Sequence, residues 1–125
     1  MKIAIVGSRN FKDYNTFKKI IDNIISKFEN VEFISGGAKG ADEFAYKYAK
    51  ENSIPIKIYF PNWEKYEKAA GYKRNKQIWQ EADIGIAFWD GKSKGTTHSF
   101  DLAKEMNKKL SIYNFIQKGW IRKVF

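Results

Sequence analysis

The sequence predicts an α/β protein: a single Rossmann-like domain, with one mostly parallel, five-stranded sheet and helices on both of its faces. Three observations carry this. Short apolar runs alternate with longer amphipathic ones along the whole chain. The short runs are apolar throughout, as strands buried on both faces are. No repeat, low-complexity tract or Pro/Gly/Ser-rich linker interrupts the rhythm, so residues 1–125 read as one domain. Strands and helices in such alternation wind right-handedly into a parallel sheet. Analogy with Rossmann-like domains gives the strand order 3-2-1-4-5.

Lys2-Ile3-Ala4-Ile5-Val6, stopped by Gly7, is the first strand. Phe17, Ile20, Ile21, Ile24, Ile25 and Phe28 follow the i, i+3, i+4, i+7 rule and predict a helix over 15–28. Val31 to Ser35 is the second strand, stopped by Gly36-Gly37. Ala41, Phe44, Ala45, Tyr48 and Ala49 mark a helix over 40–51. Pro55 to Phe60 is the third strand, with proline at its first position, where a missing N–H is tolerated. Residues 66–81 form a helix that Gly71 interrupts. Ile84 to Phe88 is the fourth strand. Phe100, Ala103 and Met106 place a helix over 96–108, and Leu110 to Tyr113 is the fifth strand. The extension 114–125 is aromatic and basic, with Phe115, Lys118, Trp120, Arg122, Lys123 and Phe125. It reads either as a C-terminal strand or as a helix packed on a neighbour, and it is a candidate interface of a homo-oligomer.

The chain has 125 residues, of which 43% are apolar. That suffices for one buried core and is too little for two. There is no cysteine, which excludes disulfide frameworks, cysteine nucleophiles and thiolate metal sites. The single histidine, His98, excludes multi-histidine metal sites. Neither a metal nor a cofactor is expected. No apolar run approaches the roughly 18–20 residues of a membrane span. The N-terminal apolar run is also too short for a signal peptide. A cytoplasmic protein with no membrane partner is therefore expected.

Twenty-three basic residues against fourteen acidic ones give a net charge of +9. Such a balance favours polyanionic partners: nucleic acid, nucleotides or an anionic surface. A general lysine bias, spread over the surface as a solvated shell, gives the same excess. Against that bias the three arginines, Arg9, Arg74 and Arg122, are informative. Arginine is preferred where planar, bidentate contact with phosphate or carboxylate matters.

In open parallel sheets, ligands bind beyond the carboxyl ends of the strands, where the strand order reverses. The segments after strands one, two and four all have the chemistry of binding loops. Gly7-Ser8-Arg9-Asn10 combines a tight turn, a hydroxyl and a phosphate fork. Ser35-Gly36-Gly37-Ala38-Lys39-Gly40-Ala41-Asp42 puts three glycines ahead of a helix, freeing backbone N–H groups for an anion. It is neither a Walker A loop nor the dinucleotide GxGxxG, and Asp42 also suits a helix cap. Asp90-Gly91-Lys92-Ser93-Lys94-Gly95-Thr96-Thr97-His98 repeats the pattern with hydroxyls and lysines. Each loop alone is also ordinary turn chemistry, but three at one sheet edge are not. Arg74, within Gly71-Tyr72-Lys73-Arg74-Asn75, joins them if its helix folds back over the strand ends. His98 reads as a surface or capping residue before it reads as a base. Of the aromatics Phe60, Trp63, Tyr66, Tyr72 and Trp89, any one suits stacking on a base, although most aromatics are core.

As a set, Ile5-Val6-Gly7-Ser8-Arg9, the glycine loop 35–42, Arg74-Asn75 and Asp90 to Thr96 resemble the YspA-type branch of the SLOG superfamily. That superfamily joins the DNA-processing protein DprA/Smf to the "lonely guy" phosphoribohydrolases. The resemblance runs over roughly residues 1–113. It implies a Rossmann-like fold and a nucleotide or nucleotide-derived ligand, of the ADP-ribose or cyclic nucleotide kind. The phosphoribohydrolases resemble this chain at Gly95-Thr96 and Arg74, but they follow Gly-Thr with glutamates that act in N-glycosidic bond cleavage. Here Thr97, His98 and Ser99 follow. A carboxylate is missing where that chemistry develops positive charge on the ribose.

The leading expectation is a protein that binds such a ligand as a sensor or by sequestration. Gly7, Ser8, Gly36, Gly37, Ala38, Lys39, Gly40, Gly91, Ser93, Gly95, Thr96 and Thr97 would hold phosphate and ribose, with Asn75 beside them. Arg9 and Arg74 would neutralise phosphate, and Asp42 or Asp90 would accept from ribose hydroxyls. The second expectation is a phosphoribohydrolase-like enzyme, with Arg74 positioning the phosphate and Asp42, Glu43 or Asp90 stabilising the ribosyl cation. The third is a DprA-like module for single-stranded nucleic acid, which the scatter of the lysines weakens.

Overall fold

The computed structural model describes residues 1–125. In chain order the elements are β1 (Lys2–Gly7), α1 (Tyr14–Ile25), β2 (Glu32–Gly36), α2 (Ala41–Glu51), β3 (Ile56–Tyr59), α3 (Trp63–Tyr66), a 3₁₀ turn (Glu67–Ala69), α4 (Ala70–Glu81), β4 (Ile84–Trp89), α5 (Lys94–Glu105), β5 (Lys109–Asn114) and β6 (Gly119–Arg122). They form one six-stranded sheet in the order β3-β2-β1-β4-β5-β6. Strands β1 to β5 are parallel, and β6 runs antiparallel to β5. This is a Rossmann-like α/β fold, with the expected order for the first five strands.

Alternation along each strand divides the core in two. Ile3, Ile5, Phe33, Ile86 and Phe88 face α1 and α2, meeting Phe17, Ile21, Ile24 and Tyr48. Ala4, Val6, Ile34, Ala87 and Ile112 face the other way, meeting Ile78 and Trp79 of α4 and Leu102 of α5. Phe11 anchors the loop after β1. It is buried and stacks on Phe88 at 5.1 Å and on Phe115 at 4.5 Å. The chain on either side of Ser8 and Arg9 is thereby fixed to the core.

Two departures from the sequence reading have local causes. The sheet has six strands rather than five. Asn114 Oδ1 accepts from the N–H groups of Ile116 and Gln117, at 3.0 Å each, and turns the chain back. Trp120 then packs edge-on against Tyr113 at 5.3 Å. The helix expected over 66–81 is also broken, but not at Gly71, which sits inside α4. The break lies at Glu67, whose φ is +49°, and it sets α3 apart as a separate wall.

Candidate functional site

The sheet order reverses between β1 and β4, which pair with Gly7 opposite Phe88. There Ser8 N–H donates to Phe88 O at 2.8 Å, and Asp90 N–H donates to Ser8 Oγ at 3.2 Å. Above these strand ends opens a cleft of about 460 Å³, within the usual size of small-molecule sites. Of the residues expected at a site, Gly7, Ser8, Arg9, Ala38, Asp42, Arg74, Asn75, Asp90, Ser93, Gly95 and Thr96 line it. Gly36, Gly37, Lys39, Gly40, Glu43, Gly91 and Thr97 do not.

The glycine loop after β2 is occupied by its own protein. A Cβ on Gly36 would stand 2.3 Å from Arg74 Nη1, and one on Gly37 would stand 2.2 Å from the Phe60 ring. Gly40 has φ +78° and lies against Ser8 O, a conformation that disfavours any side chain. Asp42 Oδ2 accepts from Ala38 N–H at 3.1 Å, and Glu43 Oε1 accepts from Gly40 N–H at 3.3 Å. Two of the loop's amides are therefore already bonded, and the first turn of α2 is acidic, which disfavours an anion there.

The N-terminus of α5 is different. Ser93 offers no side-chain cap, and the N–H groups of Lys94, Gly95 and Thr96 have no partner. No acidic residue lies in that turn. Around Gly95 the space is open, with no other atom within 4 Å of where a Cβ would stand. Thr96 is buried beside it, its Oγ1 donating to Ser93 Oγ at 3.2 Å and lying 3.4 Å from Ser8 Oγ.

Facing this turn is Arg74 on α4, only 9% exposed. Its Nε donates to Asn75 Oδ1 at 3.0 Å, while its buried Nη1 has no hydrogen-bond partner. Asn75 Nδ2 in turn lies 3.5 Å from Gly95 O and 3.3 Å from His98 Nδ1. Since Asn75 Oδ1 faces a donor, its NH₂ faces the histidine, whose Nδ1 accepts and whose proton sits on Nε2. Burial lowers the pKa of both Arg74 and His98, opposed by the charges of Asp42 and of Asp101 and Glu105 respectively. Asp42 forms no ion pair with Arg74.

The three candidate catalytic carboxylates all hold backbone. Glu43 bonds Gly40, as above. Asp90 Oδ1 accepts from the N–H groups of Lys92 at 2.9 Å and Ser93 at 2.7 Å. Burial alone would raise its pKa, and those bonds bring it below the ordinary value. Asp42 is buried, and burial pushes its pKa up against the pull of Arg74 and of the bonds from Ala38 and Ser35.

Asn10, the last residue of the first binding loop, lines the cleft too, as do Lys68 and Ser99, which were not expected there. Ser99 follows Thr96 by three residues on one helix face, a spacing that points to it. Lys68 rides on the 3₁₀ turn, for which the sequence carries no cue.

Fold and cleft together define a doubly wound α/β protein with a polar, cation-bearing pocket at its switch point. The family model described as YspA, cpYpsA-related SLOG family matches residues 1–66, more than half of the chain, and the protein belongs to that family. No curated protein and no solved structure matches it.

Proposed function

We propose that the protein binds a phosphate-bearing, nucleotide-derived small molecule in this cleft and leaves it chemically intact, as a sensor or by sequestration. Arg74 carries the reading. A buried guanidinium with an unbonded Nη1 and no ion pair is a standing cost of a few kcal/mol. A phosphate oxyanion against the part of the guanidinium that lines the cleft offsets that cost by charge. The same oxyanion takes up the free amides of Lys94, Gly95 and Thr96, at the positive end of α5. Arg9 and Lys68 line the cleft on the same side of the charge balance. Membership of the SLOG family supports a nucleotide-related ligand. The commitment of Asp42, Glu43 and Asp90 to loop backbone favours binding over N-glycosidic cleavage.

The test is a thermal-shift screen with AMP, ADP-ribose, NAD and cyclic dinucleotides, followed by chromatography of each mixture. A ligand at 100 times its Kd stabilises by about 2.7 kcal/mol, which raises the Tm of a domain this size by several degrees. The expected result is such a shift with the ligand recovered intact. Release of free base would replace binding with hydrolysis. Silence across the panel would overturn the reading.

A further inference from the structure

We propose that the mouth of the cleft is a base-stacking subsite, in which Trp63 and Tyr72 hold the planar base of a nucleotide whose phosphate lies at Arg74. The inference rests on the phosphate reading above and adds the other half of the ligand. Trp63 and Tyr72 are 52% and 51% exposed, yet both line the same concave site as Arg74. Aromatic surface left bare in a cleft, rather than on a convex face, is surface available for a flat apolar group.

The other tryptophans are spent inside the protein. Trp79 is buried, Trp89 packs edge-on against Phe100 at 5.2 Å, and Trp120 packs against Tyr113. Trp63 makes no such ring contact. It reaches the cleft because the break at Glu67 separates α3 from α4. The tip of its ring lies 4.0 Å from the open position above Gly71 Cα, where no side chain intrudes. Tyr72 is held in place from behind, edge-on to His98 at 4.6 Å and 77°. The cleft thus grades from hydroxyls, an amide and a guanidinium at its floor to aromatic rings at its rim. That gradient fits a molecule with an anionic end and a planar end. A bare sugar phosphate would leave the rings uncovered.

Calorimetric titration with ribose 5-phosphate, AMP and UMP tests this on the wild type and on Trp63→Ala and Tyr72→Ala. Stacking on one aromatic ring changes affinity by roughly 5- to 150-fold. AMP is therefore expected to bind at least about tenfold more tightly than ribose 5-phosphate, with UMP between them. The AMP-to-ribose 5-phosphate ratio should fall toward one in either alanine variant and recover in Trp63→Phe and Tyr72→Phe. Equal affinities of the wild type for AMP and ribose 5-phosphate would overturn the stacking subsite and leave the phosphate seat standing. Binding of neither would remove both. Tighter binding of an oligo-dT than of any mononucleotide, lost in the same alanine variants, would reassign the rings to single-stranded nucleic acid and overturn the proposal.

Discussion

Arg74 Nη1 occupies the space where Gly36 would carry a side chain, 2.3 Å from the position of that missing Cβ. The two residues come from different elements, α4 and β2, and each explains the other. Glycine at 36 lets the guanidinium lie down over the strand end, and the guanidinium gives a reason for glycine. Gly36→Ala should push Arg74 out of place and destabilise by about 1–3 kcal/mol, the usual result of overpacking. Gly95→Ala should do the opposite. Nothing stands near its Cβ position, and alanine is better than glycine in a helix by roughly 0.5–1 kcal/mol. Ligand affinity is expected to fall in both variants. Urea midpoints and ligand titrations check the pair, and a Gly95→Ala variant with wild-type affinity would show that the open space there is not ligand space.

Arg74→Met separates binding from folding. The substitution keeps much of the side-chain length and removes a buried cation that interacts with the Asp42 charge but makes no ion pair at contact distance. Replacing a buried ion pair by apolar groups of similar volume is often neutral or stabilising by about 1–4 kcal/mol, and here one replacement suffices because Asp42, whose pKa burial raises, takes up a proton when Arg74 is gone. The variant should unfold at an equal or higher urea concentration and lose phosphate binding. A loss of more than about 2 kcal/mol would make Arg74 a structural residue.

The sheet was open to sequence reading because its signals are local. Runs such as Lys2 to Val6 and Ile84 to Phe88 are apolar and short, whereas the order β3-β2-β1-β4-β5 comes from analogy with Rossmann-like domains and not from any local signal. The burial of Arg74 is not a local property. Tyr72-Lys73-Arg74-Asn75-Lys76 is polar throughout, and the room into which Arg74 is buried is made by a glycine on β2. The glycine loop is opaque in sequence for a related reason. A glycine that admits Arg74 or Phe60 looks the same in sequence as one that admits a ligand. The break at Glu67 and the turn into β6 use positive φ at Glu67 and Lys118, where neither glycine nor asparagine gives warning.

Asp42 tests the catalytic reading directly. Ser35 Oγ lies 2.7 Å from Ile5 O and 3.0 Å from Asp42 Oδ1, but it has one hydrogen for these two acceptors. A proton on Asp42 completes the set, in the direction in which burial moves its pKa. A carboxyl whose folded pKa is raised contributes stability present below its unfolded value of 3.8 and lost as pH rises through the folded value. Asparagine supplies the same donor and acceptor without that loss. Asp42→Asn should be at least as stable at pH 7 and should bind ligand. Asp42→Ala, which strands Ala38 N–H, should lose about 1–3 kcal/mol. Loss of ligand turnover in the asparagine variant would instead mark a catalytic carboxylate.

The bond from Asn75 to His98 makes the site sensitive to acid. His98 Nδ1 accepts from Asn75 Nδ2 only while the ring is neutral, and the other end of that amide holds Arg74 Nε. Tyr72 from α4 packs against the ring, and Asp101 and Glu105 on α5 are the charges that favour protonation. Burial outweighs them and lowers the folded pKa below 6.5. The unfolded chain therefore binds a proton first as pH falls. Stability is full above about pH 6.5 and declines as the pH drops from there toward the folded value. Below that value the imidazolium repels the Asn75 amide, and Arg74 loses its orienting bond. Ligand affinity should weaken across the same window. His98→Gln keeps an acceptor for Asn75 but does not titrate. Between pH 8 and about pH 5.5, urea midpoints and titrations with ADP-ribose, whose diphosphate charge is constant there, should fall less steeply on acidification in the variant than in the wild type. An undiminished slope in His98→Gln would assign the acid sensitivity to another group.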